Sequence, residues 1–159
     1  MERFPADSNG CGWSKTSGSQ IERTWFWFNN FKWPESGKND AQIIGKECGK
    51  RIIYDPDLRE INNGLLAGMD NSLAEILFPG TYYNTLDLNE KYPNGESPID
   101  FFNRIRKVYQ KLLTLQKDIL VVTHSGVINA MFCLINNLEF TNKKQEIIID
   151  HAEFVIYYF

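Results

Sequence analysis

The sequence predicts an α/β domain, and three features carry that prediction. A run of five apolar or β-branched residues, Ile119-Leu120-Val121-Val122-Thr123, has the continuous character of a strand buried on both faces. An amphipathic helix precedes it and an apolar helix follows it. Helices that alternate with buried strands have to pack as layers, and no internal repeat competes with that arrangement.

Composition sets the bounds. With 159 residues, 43% of them apolar and 23% charged, the chain is one domain's worth of protein and can bury a sizeable core. Its formal net charge of −3 does not offer the basic footprint of a nucleic-acid or anionic-membrane binder. No stretch of apolar residues reaches the length that spans a bilayer. Cys11, Cys48 and Cys133 are far apart and follow no metal-ligand spacing, which argues against a disulfide framework or a zinc site. The first residues show no charged-then-apolar leader pattern, so a reduced, cytoplasmic protein is expected. One asymmetry stands out. Trp13, Trp25, Trp27 and Trp33 all lie near the N-terminus, whereas the first leucine is Leu58 and the first valine is Val108.

Taken in order, residues 1–40 show no helical or strand period; Gly, Ser, Asn and Pro interrupt clustered aromatics such as Trp25-Phe26-Trp27-Phe28. From Ala41 the texture changes. Ala41, Ile44 and Cys48 fall at helical intervals, Gly49 suits a helix C-terminus, and Arg51-Ile52-Ile53-Tyr54 reads as a short strand. Residues 55–96 are rich in Asn, Asp, Gly and Pro, with a modest helical run from Ser72 to Leu77. Ser97 as N-cap, Pro98 at the first helical position and Asp100 three residues after the cap give the clearest helix start in the chain. Phe101, Ile105, Val108, Leu112 and their neighbours then form one apolar face. After the buried strand, an apolar helix runs from Val127 to about Ile135. Glu146 to Ile149 and Phe154 to Phe159 read as two strands around an Asp150-His151 turn.

The sharpest chemical signal is Val121-Val122-Thr123-His124-Ser125-Gly126. A histidine where a buried strand gives way to a helix sits at the carboxyl edge of a parallel sheet, where open α/β proteins bind ligands. The free N–H groups of the helix start favour an anion beside it. A nucleophile elbow is excluded, because Thr123 and Val127 stand where glycines would be needed around Ser125. Glu60, in Leu58-Arg59-Glu60-Ile61-Asn62-Asn63-Gly64, could be a general acid in a Gly/Asn-rich loop or a solvated loop residue. His124 could likewise do no more than hydrogen-bond the backbone at a strand end. Residues Tyr92-Pro93-Asn94-Gly95-Glu96-Ser97-Pro98 are accounted for by a turn running into the helix cap, and His151 by a surface turn.

The ordered set "D-x-x-L-R-E-x-x-x-G-x-x-x-G", "Y-P-x-G-E-S-P", an arginine-bearing amphipathic helix and "V-V-T-H-S-G-V-I" resembles the histidine phosphatase superfamily, the phosphoglycerate mutase-like proteins, over Ala41 to Phe159. That resemblance implies a three-layer α/β/α sandwich on a largely parallel sheet. It also implies phosphoryl transfer or phosphomonoester hydrolysis through a phosphohistidine, with no metal or other cofactor and a phosphorylated small molecule as partner. By the same resemblance, His124 is the second pocket histidine, which binds the phosphoryl group. Glu60 is the acid/base for the leaving oxygen and water, and Ser125 offers its backbone N–H to the phosphate. Selectivity is expected from the insertion between Asn71 and Tyr92, where Phe78, Tyr82 and Tyr83 stand.

Departures from the family pattern are equally specific. The nucleophile motif "R-H-G" does not occur, the histidines of the sequence being His124 and His151. No arginine precedes Ala41 at the family spacing; Glu35-Ser36-Gly37-Lys38-Asn39-Asp40 stands there. A pocket of His124 and Glu60 alone should not turn phosphate esters over, so the family's phosphatase or mutase activity is expected to be impaired in this chain; the alternative is an inactive relative or incomplete product that binds an anion or a partner without turnover. Read one nucleotide later, the codons possible for residues 1–20 permit W-N-G-F-Q, L-T, G and Q-A-E-A, a succession similar to the family region after its nucleophile. Residues 24–39 then permit an apolar run followed by Ser, Arg, Ala and Thr. The expectation is an atypical segment at 1–40, translated out of frame, joined to a histidine phosphatase-like domain at 41–159, with the N-terminal strand missing or atypical.

The frame hypothesis and the missing strand can each be tested. The coding DNA, read in the shifted frame, should spell the family pattern; any other translation removes the frame hypothesis. A missing strand would leave Ile119 to Thr123 as an unpaired apolar edge, so the chain should self-associate. Size-exclusion chromatography checks this, and a monodisperse, cooperatively unfolding monomer would contradict it.

Overall fold

A computed structural model describes residues 51–115 and 119–148 in full, Gln42, Gly45, Lys46 and Gly49 before them, and the backbone of strands at 2–5, 24–27 and 153–156. The strands are β1 (Glu2–Pro5), β2 (Thr24–Trp27), β3 (Ile52–Tyr54), β4 (Ile119–Val122) and β5 (Glu153–Ile156). The helices are α1 (Asn71–Leu77), α2 (Pro98–Leu113) and α3 (Ser125–Ile135), with short 3-10 turns at Pro56–Leu58 and Gly64–Leu66. Strands β3, β2 and β4 form a parallel sheet in that order, and β1 pairs antiparallel with β5. Helices against a parallel sheet make this an α/β fold.

The aromatic N-terminal segment is where the sequence reading needs correction. Residues 1–40 show no period, yet Thr24–Trp27 forms the middle strand of the parallel sheet, with Trp25 paired to Ile52 on one side and to Leu120 on the other. Thr-Trp-Phe-Trp hides its strand character from a periodicity test because no polar residue alternates within it, while β-branched and aromatic residues suit a pleated surface. Strand β4 is consequently covered by β2 along one edge. Among the described residues no strand pairs with its other edge. The expected strand at Glu146–Ile149 is also absent where described. Glu146 and Ile147 instead donate their backbone N–H groups to Oδ1 of the buried Asn129 in α3, at 2.7 and 3.4 Å. The Asp150-His151 turn lies outside the described residues, as do Ala41, Ile44 and Cys48 of the first expected helix; Gln42, Gly45 and Lys46 are helical, and Gly49 follows in a turn at φ +62°.

Helix α2 starts as its sequence dictates. The Ser97 hydroxyl accepts from the Asp100 N–H, and the Asp100 carboxylate accepts from the Ser97 N–H, so two donors that a helix start leaves orphaned are satisfied reciprocally. One face of the helix then buries Phe101, Phe102, Ile105 and Val108. They meet Val127, Ala130 and Met131 of α3, with Ile53 and Val121 of the sheet packed against the same cluster. Phe101 is fully buried, and its ring alone contributes roughly 1.5–3 kcal/mol by leaving water. Phe102 stacks on Phe140 at a centroid separation of 4.2 Å, so the segment after α3 is sealed onto α2.

This core fixes the sheet's carboxyl edge. Leu58, also fully buried, anchors the loop after β3 in the same cluster that holds the start of α3. Asp55, buried, accepts from the Asp57 N–H at 3.0 Å and from Lys111 Nζ at 2.8 Å, which ties that loop to α2. Among the described residues, no helix is long and apolar enough to cross a membrane.

Candidate active site

Two loops meet beyond the carboxyl ends of β3 and β4. The first carries Glu60, the second His124, and a hydroxyl ties their backbones together: Thr123 Oγ1 donates to the Leu58 carbonyl at 2.8 Å. Leu58 lies two residues before Glu60 and Thr123 one before His124, so this bond sets the spacing of the two candidate side chains.

The Glu60 carboxylate sits at the start of α3. Its Oε2 accepts from the Gly126 N–H at 3.2 Å and its Oε1 from its own neighbour, the Ile61 N–H, at 3.1 Å. A negative group there satisfies one of the orphan donors of the helix and is favoured by the helix dipole. Gly126 makes the approach possible. A Cβ at that position would overlap Glu60 Oε1, and the carboxylate, as the flexible end of a side chain, would have to move away. His124 is the N-cap residue of α3, with φ −97° and ψ 158°, and is half-buried. Burial holds its imidazole below the usual histidine range, and the negative charge of Glu60 partly opposes that shift. The structure thus brings His124 and Glu60 together. Ser125 opens the helix and is exposed.

Tyr83, from the insertion, lies near the same carboxylate. Burial, and then the charge of Glu60, push its phenol well above the ordinary tyrosine range. The insertion is held down from the far side: the buried Asn142 donates through Nδ2 to the carbonyls of Tyr83 and Leu86, at 2.5 and 2.7 Å, and Lys143 Nζ donates to the carbonyls of Thr85 and Leu86. Tyr82 points elsewhere, exposed and bonded through its hydroxyl to Glu75. Tyr83 is thus an insertion aromatic whose phenol feels the charge of Glu60.

The Glu60 loop is locked to the turn before α2. Leu65 N–H donates to the Pro93 carbonyl and Glu96 N–H to the Asn62 carbonyl, both at 2.9 Å. Gly64 and Gly95 lie so close that a Cβ on either would collide with backbone of the other loop, and Gly64 also has φ +56°. Glu96 therefore does more than lead into a helix cap. Its carboxylate accepts from Arg104 Nε and Nη2, both at 2.8 Å, from the Asn62 N–H at 2.9 Å, and from Arg59 Nη2 at 3.4 Å. Thr123, Gly126, Glu96 and Arg104 were not legible as site residues in the sequence, since each acts on a partner distant along the chain. Among the described residues, no cluster of three or more His, Cys, Asp or Glu could hold a metal ion.

Residues 38–159 match the model of the histidine phosphatase superfamily, branch 1. The chain belongs to that superfamily. Among curated proteins, it is 28% identical over 111 residues to "Probable phosphoglycerate mutase GpmB" of Erwinia tasmaniensis, covering 64% of this chain and 49% of the relative. It is 31% identical over 108 residues to the protein of the same name from Serratia proteamaculans, covering 64% and 47%. The chain thus spans about half the length of the curated relatives it matches. Among solved structures, a mycobacterial glucosyl-3-phosphoglycerate phosphatase superposes with a TM-score of 0.60 at 19% identity, covering 73% of this chain and 59% of that one. Its complex with inorganic phosphate superposes at 0.59 and 20% identity, covering 76% and 61%. These likenesses place the α/β fold of this histidine phosphatase-family chain among phosphatase structures.

The Glu96 cluster makes a pH prediction. Burial pushes the Glu96 carboxyl up, but the bonds from Arg104 and Asn62 and the charges of Arg104 and Arg59 outweigh it, so the group titrates below the usual glutamate range. A carboxyl with a depressed folded pKa contributes stability that is fully present above its unfolded pKa and is lost as pH falls through the folded one. Glu96→Gln should accordingly cost about 1–3 kcal/mol at pH 7, and the gap to the parent should narrow as pH falls from the ordinary glutamate range through the depressed pKa of the folded state. Urea denaturation across that range checks it; a gap independent of pH would contradict it.

Proposed function

We propose that this chain uses the His124–Glu60 edge to bind the phosphoryl group of a phosphorylated small molecule, in the manner of phosphatases and mutases of its superfamily. The observation that carries the proposal is the convergence of a half-buried histidine, a carboxylate and the start of an eleven-residue helix at the carboxyl edge of a parallel sheet. In this reading His124 donates to a phosphoryl oxygen. Burial alone disfavours the charged imidazole, and a bound dianion would add to Glu60 in restoring it. Glu60 serves as the acid/base, protonating a leaving oxygen and then activating water, and Ser125 offers its backbone N–H to the phosphate.

The proposed architecture is the three-layer α/β/α sandwich of the superfamily, with the phosphatase-like domain at residues 41–159 and an atypical, out-of-frame segment at 1–40. The 159-residue polypeptide carries no Arg-His-Gly, and its second histidine is His151. Phosphoryl transfer through a phosphohistidine requires a nucleophilic imidazole opposite the leaving group, and His124 cannot both attack the phosphorus and stabilise the charge that develops on it. Binding with little or no turnover is therefore the proposed behaviour of this polypeptide. That superfamily members include probable phosphoglycerate mutases, and that a similarly folded glucosyl-3-phosphoglycerate phosphatase forms a complex with inorganic phosphate, supports a phosphorylated small molecule as the ligand proposed here.

Purified protein should bind inorganic phosphate by calorimetry, and His124→Ala should weaken that binding by roughly tenfold or more, the loss of one charge-assisted hydrogen bond. The same protein should leave a generic aryl phosphate unhydrolysed in the presence of a chelator. Metal-independent hydrolysis that His124→Ala abolishes would show the chain to be an intact enzyme, whereas absence of phosphate binding would remove the site.

A further inference from the structure

Arg104 sits on α2, bonded to the backbone of the Glu60 loop, and its guanidinium is saturated. A guanidinium has five N–H donors in a fixed planar fork. Here Nε donates to Glu96 Oε1 at 2.8 Å, Nη1 to the Asp57 carbonyl at 2.6 Å and the Arg59 carbonyl at 3.0 Å, and Nη2 to the Glu60 carbonyl at 3.3 Å and Glu96 Oε2 at 2.8 Å. Its side chain is only 10% exposed.

Two consequences follow from that count. An arginine with every donor committed to protein oxygens has none to offer a phosphate, so Arg104 does not stand in for the phosphate-binding arginine the sequence lacks. Three of the four carbonyls from Asp57 to Glu60 are fixed by one rigid group, and the fourth, Leu58, is fixed by Thr123. A backbone gripped at four successive residues has little freedom left in φ and ψ. The direction in which the Glu60 side chain leaves the chain is therefore set from behind.

We propose that Arg104, held in plane by Glu96, is the positioning residue of Glu60, aiming its carboxylate at the start of α3 beside His124. The proposal rests on the reading of Glu60 given under the proposed function. It assigns Arg104 no contact with substrate.

Proton NMR titration of the His124 imidazole in the full chain tests the idea without needing turnover, with His151→Gln assigning the two histidine signals. The titratable and charged groups to consider are Glu60 beside His124, Tyr83 next to Glu60 and neutral throughout the titration, and Arg104, Arg59 and Glu96 behind the loop. Glu60→Gln should lower the His124 midpoint, since it removes the negative charge that supports the imidazolium. Arg104→Met should also lower it, by most of the Glu60→Gln shift, and adding Arg104→Met to Glu60→Gln should lower it no further. The sign separates positioning from a simple field effect: deleting a nearby cation, or leaving Glu96 without its partner, raises a histidine midpoint, so a fall requires Glu60 to have swung away. Arg104→Lys, which keeps the charge but cannot span three carbonyls, should give an intermediate fall. It carries the same test if the methionine variant does not fold. A midpoint that stays in place or rises in the folded Arg104 variant, while Glu60→Gln lowers it, would overturn the positioning role and leave the reading of Glu60 intact. A midpoint unmoved by Glu60→Gln would overturn both.

Discussion

A guanidinium mostly withdrawn from water must place each of its five N–H groups on an oxygen, and Arg104 can do this only if Asp57, Arg59, Glu60 and Glu96 stand where they do. The requirement is unforgiving because breaking one partner of a buried charge pair strands the other, at a cost of several kcal/mol. Much of the candidate site follows from it. The loop after β3 cannot slide along α2 without emptying donors, and the turn before α2 cannot lift away without leaving the Glu96 carboxylate behind.

Around this hub the remaining contacts act as spacers. Thr123 sets how far the end of β4 stands from the Glu60 loop. Gly64 and Gly95 allow two loops to touch backbone to backbone, where any side chain would hold them apart. Gly126 leaves room at the start of α3 for a carboxylate. Small residues and one short hydroxyl thus define distances, whereas the charged residues define directions. The aromatic insertion is fastened independently, by Asn142 and Lys143 from the segment after α3. Tyr83 and Glu60 accordingly reach the site from two separate supports.

How much of this the sequence disclosed depended on the range of the cause. Helix α2 was legible to the residue, since Ser97, Pro98 and Asp100 act on one another within a single turn. Strand β4 and the helix after it were legible because a short, β-branched apolar run between two helices suits a strand and little else, although Ile119–Val122 are half-buried rather than buried on both faces as the run predicts. Strand β2 was not, since its pairing depends on β3 and β4 rather than on any period of its own. The strand expected at Glu146–Ile149 is absent over its described residues, Glu146–Ile148, for a related reason: the Glu146 and Ile147 N–H groups found the Asn129 side chain instead of a neighbouring strand. His124 and Glu60 were found through an ordered set of motifs. Glu96 and Arg104 were hidden, because a glutamate beside a helix cap and an arginine on an amphipathic helix each have a sufficient local role until their joint geometry is seen.

The position of β2 bears on how the chain reaches this fold. Thr24 pairs with Ile119, and Glu2 with Ile156, so the hydrogen bonds that complete both sheets join residues roughly a hundred or more positions apart. Pairings of that range form only after most of the chain has lost its freedom, which slows folding relative to a domain built from local contacts. During synthesis, Thr24–Trp27 is made well before β4 exists to receive it, although β3 follows soon after. An apolar, aromatic strand must then keep one edge unpaired until β4 is made, and exposed edges of that kind are where chains aggregate while folding.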